Sequence, residues 1–269
     1  MSRRLLLVTA GLSLLEAAGW RGTLPGAEPA DHPAAEAAGG APAVPGAPAP
    51  PEAPAAAAAA QPAAAPRPLT AAEMQPLNEL DVDRKVVAVT VDDGPDPRWT
   101  PEVLALLEKY GIRATFFLIG ENAAAHPELV REIAARGHLV ANHTWSHPDL
   151  RSLPEEKVRE QLGRTSDFLH GVTGKAPTWF RAPGGDWSAT TLKVGAELGM
   201  RPMGWSVDPQ DWAEPGTDVI AQRLTKELKP GAIVLTHDGG GNRSQTVGAL
   251  TRYLPAVLAA GYRFTAPRG

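Results

Sequence analysis

The segment from Lys85 to Gly111, KVVAVTVDDGPDPRWTPEVLALLEKYG, decides the fold. Its opening, Lys85–Val91, is a short β-branched run of the kind found in a parallel strand buried on both faces. Its second half opens at Thr100-Pro101. Thr100 is placed to cap a helix, and Pro101 occupies a position where its missing N–H costs nothing. Val103, Leu104 and Leu107 form the apolar face, and Gly111 follows the helix end. Outward from this unit the pattern repeats. Strands are predicted at Ala114–Ile119, His138–Asn142, Thr178–Arg181, Pro202–Val207, Ala232–Thr236 and Tyr262–Thr265. Between them, helices are predicted at Pro127–Arg136, Pro154–Gly171, Ser188–Leu198, Thr217–Leu228 and Ser244–Ala260. Such alternation demands a parallel sheet covered by helices. Seven strands with one open seam predict an α/β fold, a distorted and incomplete (β/α) barrel. An open doubly wound sheet is the alternative.

Upstream of this unit the chain changes character. Met1-Ser-Arg-Arg4 is a short basic region, followed by the apolar run Leu5–Leu15 and small residues at Ala17-Ala18-Gly19. A mainly apolar run of eleven residues is too short to span a bilayer but fits a secretory signal, here assigned to residues 1–21, either cleaved or kept as an anchor. From Gly22 to Pro68 there are 20 Ala and 12 Pro, and almost no large apolar side chain. Such a stretch cannot offset its ordering entropy by burial, so residues 22–79 are expected to form a disordered, partly polyproline-extended tether. A secreted or envelope-associated protein follows, with residues 80–269 as its folded domain and no membrane span within it. Residues 1–79 carry a net charge of −3 and the remainder −1, within a total of −4. A nearly neutral domain has no electrostatic footprint for nucleic acid. The absence of cysteine excludes disulfide scaffolds, thiolate metal sites and cysteine nucleophiles.

Polar residues fall where the predicted strands end. Asp92 and Asp93 follow the first strand, and His143 and His147 the third. Arg181 ends the fourth, Asp208 and Asp211 follow the fifth, and His237 ends the sixth. In a (β/α) barrel those ends converge on one mouth, where active sites lie. The His143/His147 spacing presents two imidazoles to one ion, and Asp93 is the natural third ligand. Together they would form a His₂Asp site with open positions, the catalytic rather than the structural arrangement. Zn²⁺ suits these ligands, with Co²⁺ or another divalent ion as an alternative. Asp92, the strand neighbour of Asp93, points elsewhere and is left free to act as a base.

Five segments carry a family resemblance: Thr90-Val-Asp-Asp-Gly-Pro95, His143-Thr-Trp-Ser-His147, Arg181-Ala-Pro-Gly-Gly185, Asp208-Pro-Gln-Asp-Trp212 and Leu235-Thr-His237. In content and order they resemble the motifs of the polysaccharide deacetylase family, the NodB-homology or chitin deacetylase-like carbohydrate esterases. The resemblance spans Val86 to Phe264. It implies a distorted (β/α) barrel and metal-dependent hydrolysis of an acetyl group from a sugar. By this resemblance Asp92 is the general base, Asp93, His143 and His147 are the metal ligands, and His237 is the general acid. Arg181 matches the arginine that holds the base ionised, and Asp211 the carboxylate that orients the acid histidine. Trp212 and Leu235 match the lining of the acetyl pocket, and Asp208 is read as a further acceptor for Arg181. Gly184 stands where the family commonly has an aromatic residue whose N–H is the oxyanion donor. It keeps the N–H and loses the ring, which Trp187 is placed to replace.

The expected substrate is an N-acetylated polysaccharide, chitin-like or peptidoglycan, acted on by a monomer. Three alternatives share some of the same residues: an O-acetyl esterase on xylan or another glycan, a small-molecule amidohydrolase, and a glycan-binding module without catalysis. Trp145, Trp179, Trp187 and Trp205 are each either sugar platforms or core. The Gly-rich run after His237 lacks a lysine and P-loop spacing, so it reads as backbone passing close to the site. His126, His138 and His170 fall outside the constellation.

Overall fold

The structure, a computed structural model, describes residues 68–267. The expected signal at 1–21 and most of the expected tether lie outside the described residues. Seven parallel strands alternate with helices. They are β1 (Val86–Asp92), β2 (Thr115–Leu118), β3 (Leu139–Asn142), β4 (Trp179–Phe180), β5 (Arg201–Pro202), β6 (Ile233–His237) and β7 (Arg263–Thr265). The helices are α1 (Trp99–Lys109), α2 (Gly120–Ala125), α3 (Pro127–Ala135), α4 (Glu155–Thr173), α5 (Ala189–Glu197), α6 (Thr217–Lys226) and α7 (Ser244–Ala259). The strand order is β5-β4-β3-β2-β1-β6, and β7 pairs with β1. This is the distorted, incomplete barrel expected from the alternation. No described helix is long and apolar enough to cross a membrane.

Strand alternation sorts β1 into two environments. Val87, Val89 and Val91 pack into the main core against α1, α6 and α7, while Ala88 belongs to a separate interior cluster with Phe117, Trp179, Met203 and Ile233. Thr90 and Asp92 continue the interior-facing series. One edge of β1 carries β6 along Ala88–Asp92. The other is divided, with β7 on Val86–Ala88 and β2 on Thr90–Asp92.

The seam lies between β5 and β6, and two segments bridge it. The Val207 N–H donates to the Ile233 carbonyl at 3.1 Å, and the Leu235 N–H to Val207 at 2.9 Å. Below them, Leu77 bridges Met203, Glu79 bridges Ala232, and the Leu80 N–H donates to Gly231 at 2.8 Å. The last residues of the expected tether are therefore part of the folded domain. A boundary at 79/80 cuts off the strip that closes the barrel floor.

Three other expectations change. The strand expected over 202–207 is two residues of β5, followed by a bend and the Val207 bridge. Thr100 does not cap α1. Asp96 does, its Oδ1 accepting the N–H groups of Arg98 and Trp99 at 2.8 and 3.0 Å. The third change is α2, which the sequence pattern does not announce. Ser188 caps α5, accepting the Thr191 N–H at 3.2 Å.

Candidate active site

The parallel register pairs Asp92 with His237 across β1 and β6, so two interior-facing groups meet at adjacent strand ends. Beyond Asp92 the chain turns at once, with Asp93 at φ +72°. That left-handed conformation, uncommon outside glycine, swings the Asp93 carboxylate toward the loop after β3. His143 and His147 come from that loop, which is held from several sides. The Asn142 side chain accepts the Thr144 N–H at Oδ1, 2.8 Å away, while its Nδ2 donates to the Leu162 carbonyl and the Ser166 hydroxyl. Gln161 Oε1 accepts the N–H groups of Trp145 and Ser146 at 2.9 Å each.

His143 Nδ1 lies 2.7 Å from the Arg181 carbonyl, an acceptor, so this nitrogen carries the proton and Nε2 is the free lone pair. That Nε2 sits 3.4 Å from Asp93 Oδ1, and His147 Nε2 sits 3.5 Å from the same oxygen. Asp93 Oδ1 is buried with no hydrogen-bond partner. Ligand atoms about 2.1 Å from a shared tetrahedral ion lie about 3.4 Å apart. The orphaned oxygen, the two lone pairs and the spacing therefore fit a divalent metal. Asp93, His143 and His147 are the three groups that converge. Burial alone would raise the Asp93 pKa, but the adjoining imidazoles, His143 foremost, outweigh it and hold the carboxyl at about 2. Burial and the neighbouring His143 lower the His147 pKa, which favours the neutral ligand form.

Arg181 is fully buried and nearly all its donors are used. Nη1 donates to Asp92 Oδ1 at 2.6 Å and to the Thr90 hydroxyl at 2.8 Å. Nε and Nη2 donate to the carbonyls of Met203 and Gly204 at 3.0 and 2.7 Å. Phe117 lies under the guanidinium, 4.2 Å away. With Oδ1 engaged, Asp92 Oδ2 faces the metal side, 3.8 Å from His143 Nε2. The expected Asp208 contact to Arg181 is absent. Asp208 accepts the Gln210 N–H at 2.8 Å in a local turn, and strand-end carbonyls serve the arginine instead.

Asp211 and His237 form a buried pair. His237 Nδ1 lies 2.7 Å from Asp211 Oδ1, while Asp211 Oδ2 accepts the His237 N–H at 2.9 Å and the Thr246 hydroxyl at 2.8 Å. Burial would lower the His237 pKa, but the Asp211 hydrogen bond and charge overcome it and raise it to about 9. The imidazole is therefore cationic at neutral pH and presents Nε2–H as a proton donor.

The remaining expected residues divide. Leu235 is buried on the His237 face of β6, and Trp212, beside Asp211, is 55 % exposed. Gly184 sits at φ +63° with open space around it. Trp187 packs edge-on against Phe180 at 6.2 Å, and Trp205 flanks Gly185. Trp179 is core, its indole N–H donating to the Pro267 carbonyl at 3.0 Å. Trp145 is half-buried, with Arg164 stacked on it at 3.6 Å. His138 is structural, Nδ1 accepting the Ala114 N–H at 3.2 Å. Asp238 has no counterpart among the residues the sequence singles out. It is fully buried, with Oδ2 accepting the Thr100 hydroxyl at 2.6 Å and Oδ1 unpartnered. Burial without a cation raises its pKa to about 7.

Comparison with known proteins places this geometry among relatives. Residues 79–203 match the polysaccharide deacetylase family. A peptidoglycan-N-acetylglucosamine deacetylase of Bacillus cereus is 40% identical over 202 residues, 73% of this chain and 94% of that protein. A chitooligosaccharide deacetylase of Rhizobium leguminosarum bv. trifolii is 37% identical over 198 residues, covering 70% and 92%. The crystal structure of the Bc1960 peptidoglycan N-acetylglucosamine deacetylase superimposes with a TM-score of 0.68 at 36% identity, covering 70% of this chain and 88% of that one.

Proposed function

Since the chain belongs to the polysaccharide deacetylase family and is a hydrolase of that class, we propose that it removes N-acetyl groups from N-acetylglucosamine polymers or oligomers, as chitin oligosaccharide or peptidoglycan, with a divalent metal. The observation that carries this reading is the orphaned Asp93 Oδ1 between two histidine Nε2 atoms, with a base and an acid on adjacent strand ends. Asp93, His143 and His147 would hold the ion, Zn²⁺ or else Co²⁺. When bound, it supplies Lewis-acid polarisation to the acetyl carbonyl and to the attacking water.

The chain's own groups do the rest. Asp92 receives the water proton at Oδ2, because Arg181 occupies Oδ1. Arg181 also fixes the plane of that carboxylate through its anchors on Met203 and Gly204. His237 donates its Nε2 proton to the departing amine nitrogen, and the proton on Nδ1 stays in place, donated as a hydrogen bond to Asp211, so the imidazole turns over without tumbling. The Gly184 backbone N–H is the donor assigned to the developing oxyanion. Leu235 and Trp212 flank the acetyl methyl, and Trp187 with Trp205 supplies apolar walls for the sugar. Residues 1–21 direct export, and the Ala/Pro-rich stretch sets the domain apart from the envelope.

The test is acetate release by the full chain, Zn²⁺-loaded, from N-acetylglucosamine oligomers and acetylated xylan in parallel. Release from the oligomers is expected, and release from xylan alone would make the enzyme an O-acetyl esterase. Asp92→Asn is expected to cut turnover by at least about a thousandfold while Zn²⁺ affinity stays within a fewfold, since the base is not a ligand. Joint loss of metal and activity would refute the assignment of base and ligand. Silence on both substrates with metal bound would leave a glycan-binding module.

A further inference from the structure

The loop after β6 is three consecutive glycines, Gly239-Gly240-Gly241, and it lies directly against Asp93. A Cβ on Gly239 would fall 2.2 Å from the Asp93 carbonyl oxygen. Gly240 sits at φ +72°, and a Cβ there would fall 2.9 Å from Asp93 Oδ2. Glycine is required for this approach, yet glycine has the most backbone freedom to lose. Nothing within the loop holds it in place.

Arg243 does. It is only 3 % exposed, and no carboxylate lies within ion-pair distance among the described residues. Its guanidinium is spent on backbone. Nε donates to the Gly239 carbonyl at 2.7 Å, Nη2 to Gly240 at 3.1 Å, and Nη1 reaches toward Asp211 at 3.5 Å. Burying a cation for carbonyls alone is expensive, and a planar fork of donors is what allows one side chain to span three acceptors on two loops. Arg243 also immediately precedes α7, a 16-residue helix. The same end of that helix holds Asp211 through Thr246, on the carboxylate, and the start of α6 through Gln245, which accepts the Gly216 N–H.

We propose that Arg243 is a positioning residue. It pins the glycine loop behind Asp93 and locks that loop to the Asp211 turn, so that metal ligand and acid pair keep one mutual geometry. The assignment rests on the roles given above to Asp93 and His237. It makes a role for Arg243 that neither Lys nor a neutral side chain can fill.

The test uses the full chain with Arg243→Ala and Arg243→Lys, each checked for folding by near-UV circular dichroism and thermal melting. Zn²⁺ affinity is read by calorimetry, the His237 Nδ1–H proton by NMR, and kcat and KM on N-acetylglucosamine oligomers. Both variants are expected to bind Zn²⁺ about tenfold or more weakly and to lose kcat by a similar factor with KM nearly unchanged, in line with other groups that orient metal ligands. The His237 Nδ1–H signal should broaden or shift. Guanidinium at millimolar, non-denaturing concentration should restore Zn²⁺ affinity and kcat in Arg243→Ala and leave the parent unaffected. A folded variant with lowered melting temperature but parental Zn²⁺ affinity and a parental His237 signal would overturn the proposal, as would failure of guanidinium to rescue. If the parent releases no acetate while the Zn²⁺ and NMR readouts move as described, the proposed function fails and the positioning role stands.

Discussion

A carboxylic acid enclosed without a cation, as Asp238 is, ties stability to pH in the direction opposite to a salt-bridged acid. Its folded pKa is about 7 against an unfolded value near 3.8, so between those limits the native state holds the proton and the unfolded state does not. Native stability therefore falls as pH rises through that window. His138 acts the other way. Burial, then Arg136 and Arg113, lower its pKa to about 4 from 6.5, so the unfolded state binds the extra proton and stability rises with pH over the same interval. The two trends mask each other in the parent, and a variant separates them. Relative to Asp238→Asn, the parent should lose roughly 3 kcal/mol of unfolding free energy between pH 4 and pH 6.5, at about 1.4 kcal/mol per pH unit. Urea midpoints of both proteins at those two pH values measure the difference. An equal pH dependence in the two would show that Asp238 is already ionised across the range.

At the scale of elements, the two-histidine loop depends on a helix too short to be read from sequence. The first N–H groups of a helix lack intrahelical partners, and in α2 those of Gly120 and Glu121 donate to the carbonyls of Thr144 and Trp145 at 2.9 Å each. Gly120 makes this docking possible, since a Cβ there would fall 2.3 Å from the Trp145 ring and 2.7 Å from the Thr165 hydroxyl. Gly120→Ala should push Trp145 outward and carry His147 with it. Zn²⁺ affinity is expected to fall by about tenfold or more, with a melting temperature several degrees lower, both measurable on one preparation. Wild-type affinity in this variant would mean that the loop holds its shape without α2. The same element marks the limit of sequence reading. Asp92, Asp93, Arg181, Asp211 and His237 were legible because strand ends in this fold converge, whatever the details of packing. The helix α2 was not, because it begins without a side-chain cap and its end is satisfied by another loop. Asp238 and Arg243 were missed for a related reason. They flank a Gly-rich run that reads as backbone passing close to the site, which says nothing of its neighbours' side chains, and only tertiary enclosure turns them into buried groups. Asp208 erred the other way, a polar residue in the right place whose carboxylate is consumed locally.

At the scale of the whole molecule, the barrel is completed by chain that precedes its first strand. Leu77 and Leu80 lie along the floor of the seam, and Gly204 and Gly231 leave room for them. A Cβ at Gly204 would meet Asn78 at 2.0 Å, and one at Gly231 the Leu80 carbonyl at 2.5 Å. The Met203 and Gly204 carbonyls that anchor Arg181 belong to the strip this segment covers. Removing residues 1–68 should leave the melting temperature and Zn²⁺ affinity unchanged, whereas removing residues 1–81 should cost about 2–4 kcal/mol from lost hydrogen bonds and apolar burial and lower kcat as Arg181 loosens. Parallel melts and rate measurements on the two truncations decide it, and equal behaviour would make the segment ornamental. The arrangement has one more consequence. Leu77 and Leu80 share a single cleft with Phe264 and Pro267, so the chain enters and leaves the domain side by side, on the opposite side of the barrel from the strand ends that carry Asp92 and His237. Both ends of the described domain therefore share one neighbourhood, at the strand starts, and a graft beside Pro267 would meet the foot of the sheet and not the residues around Asp93.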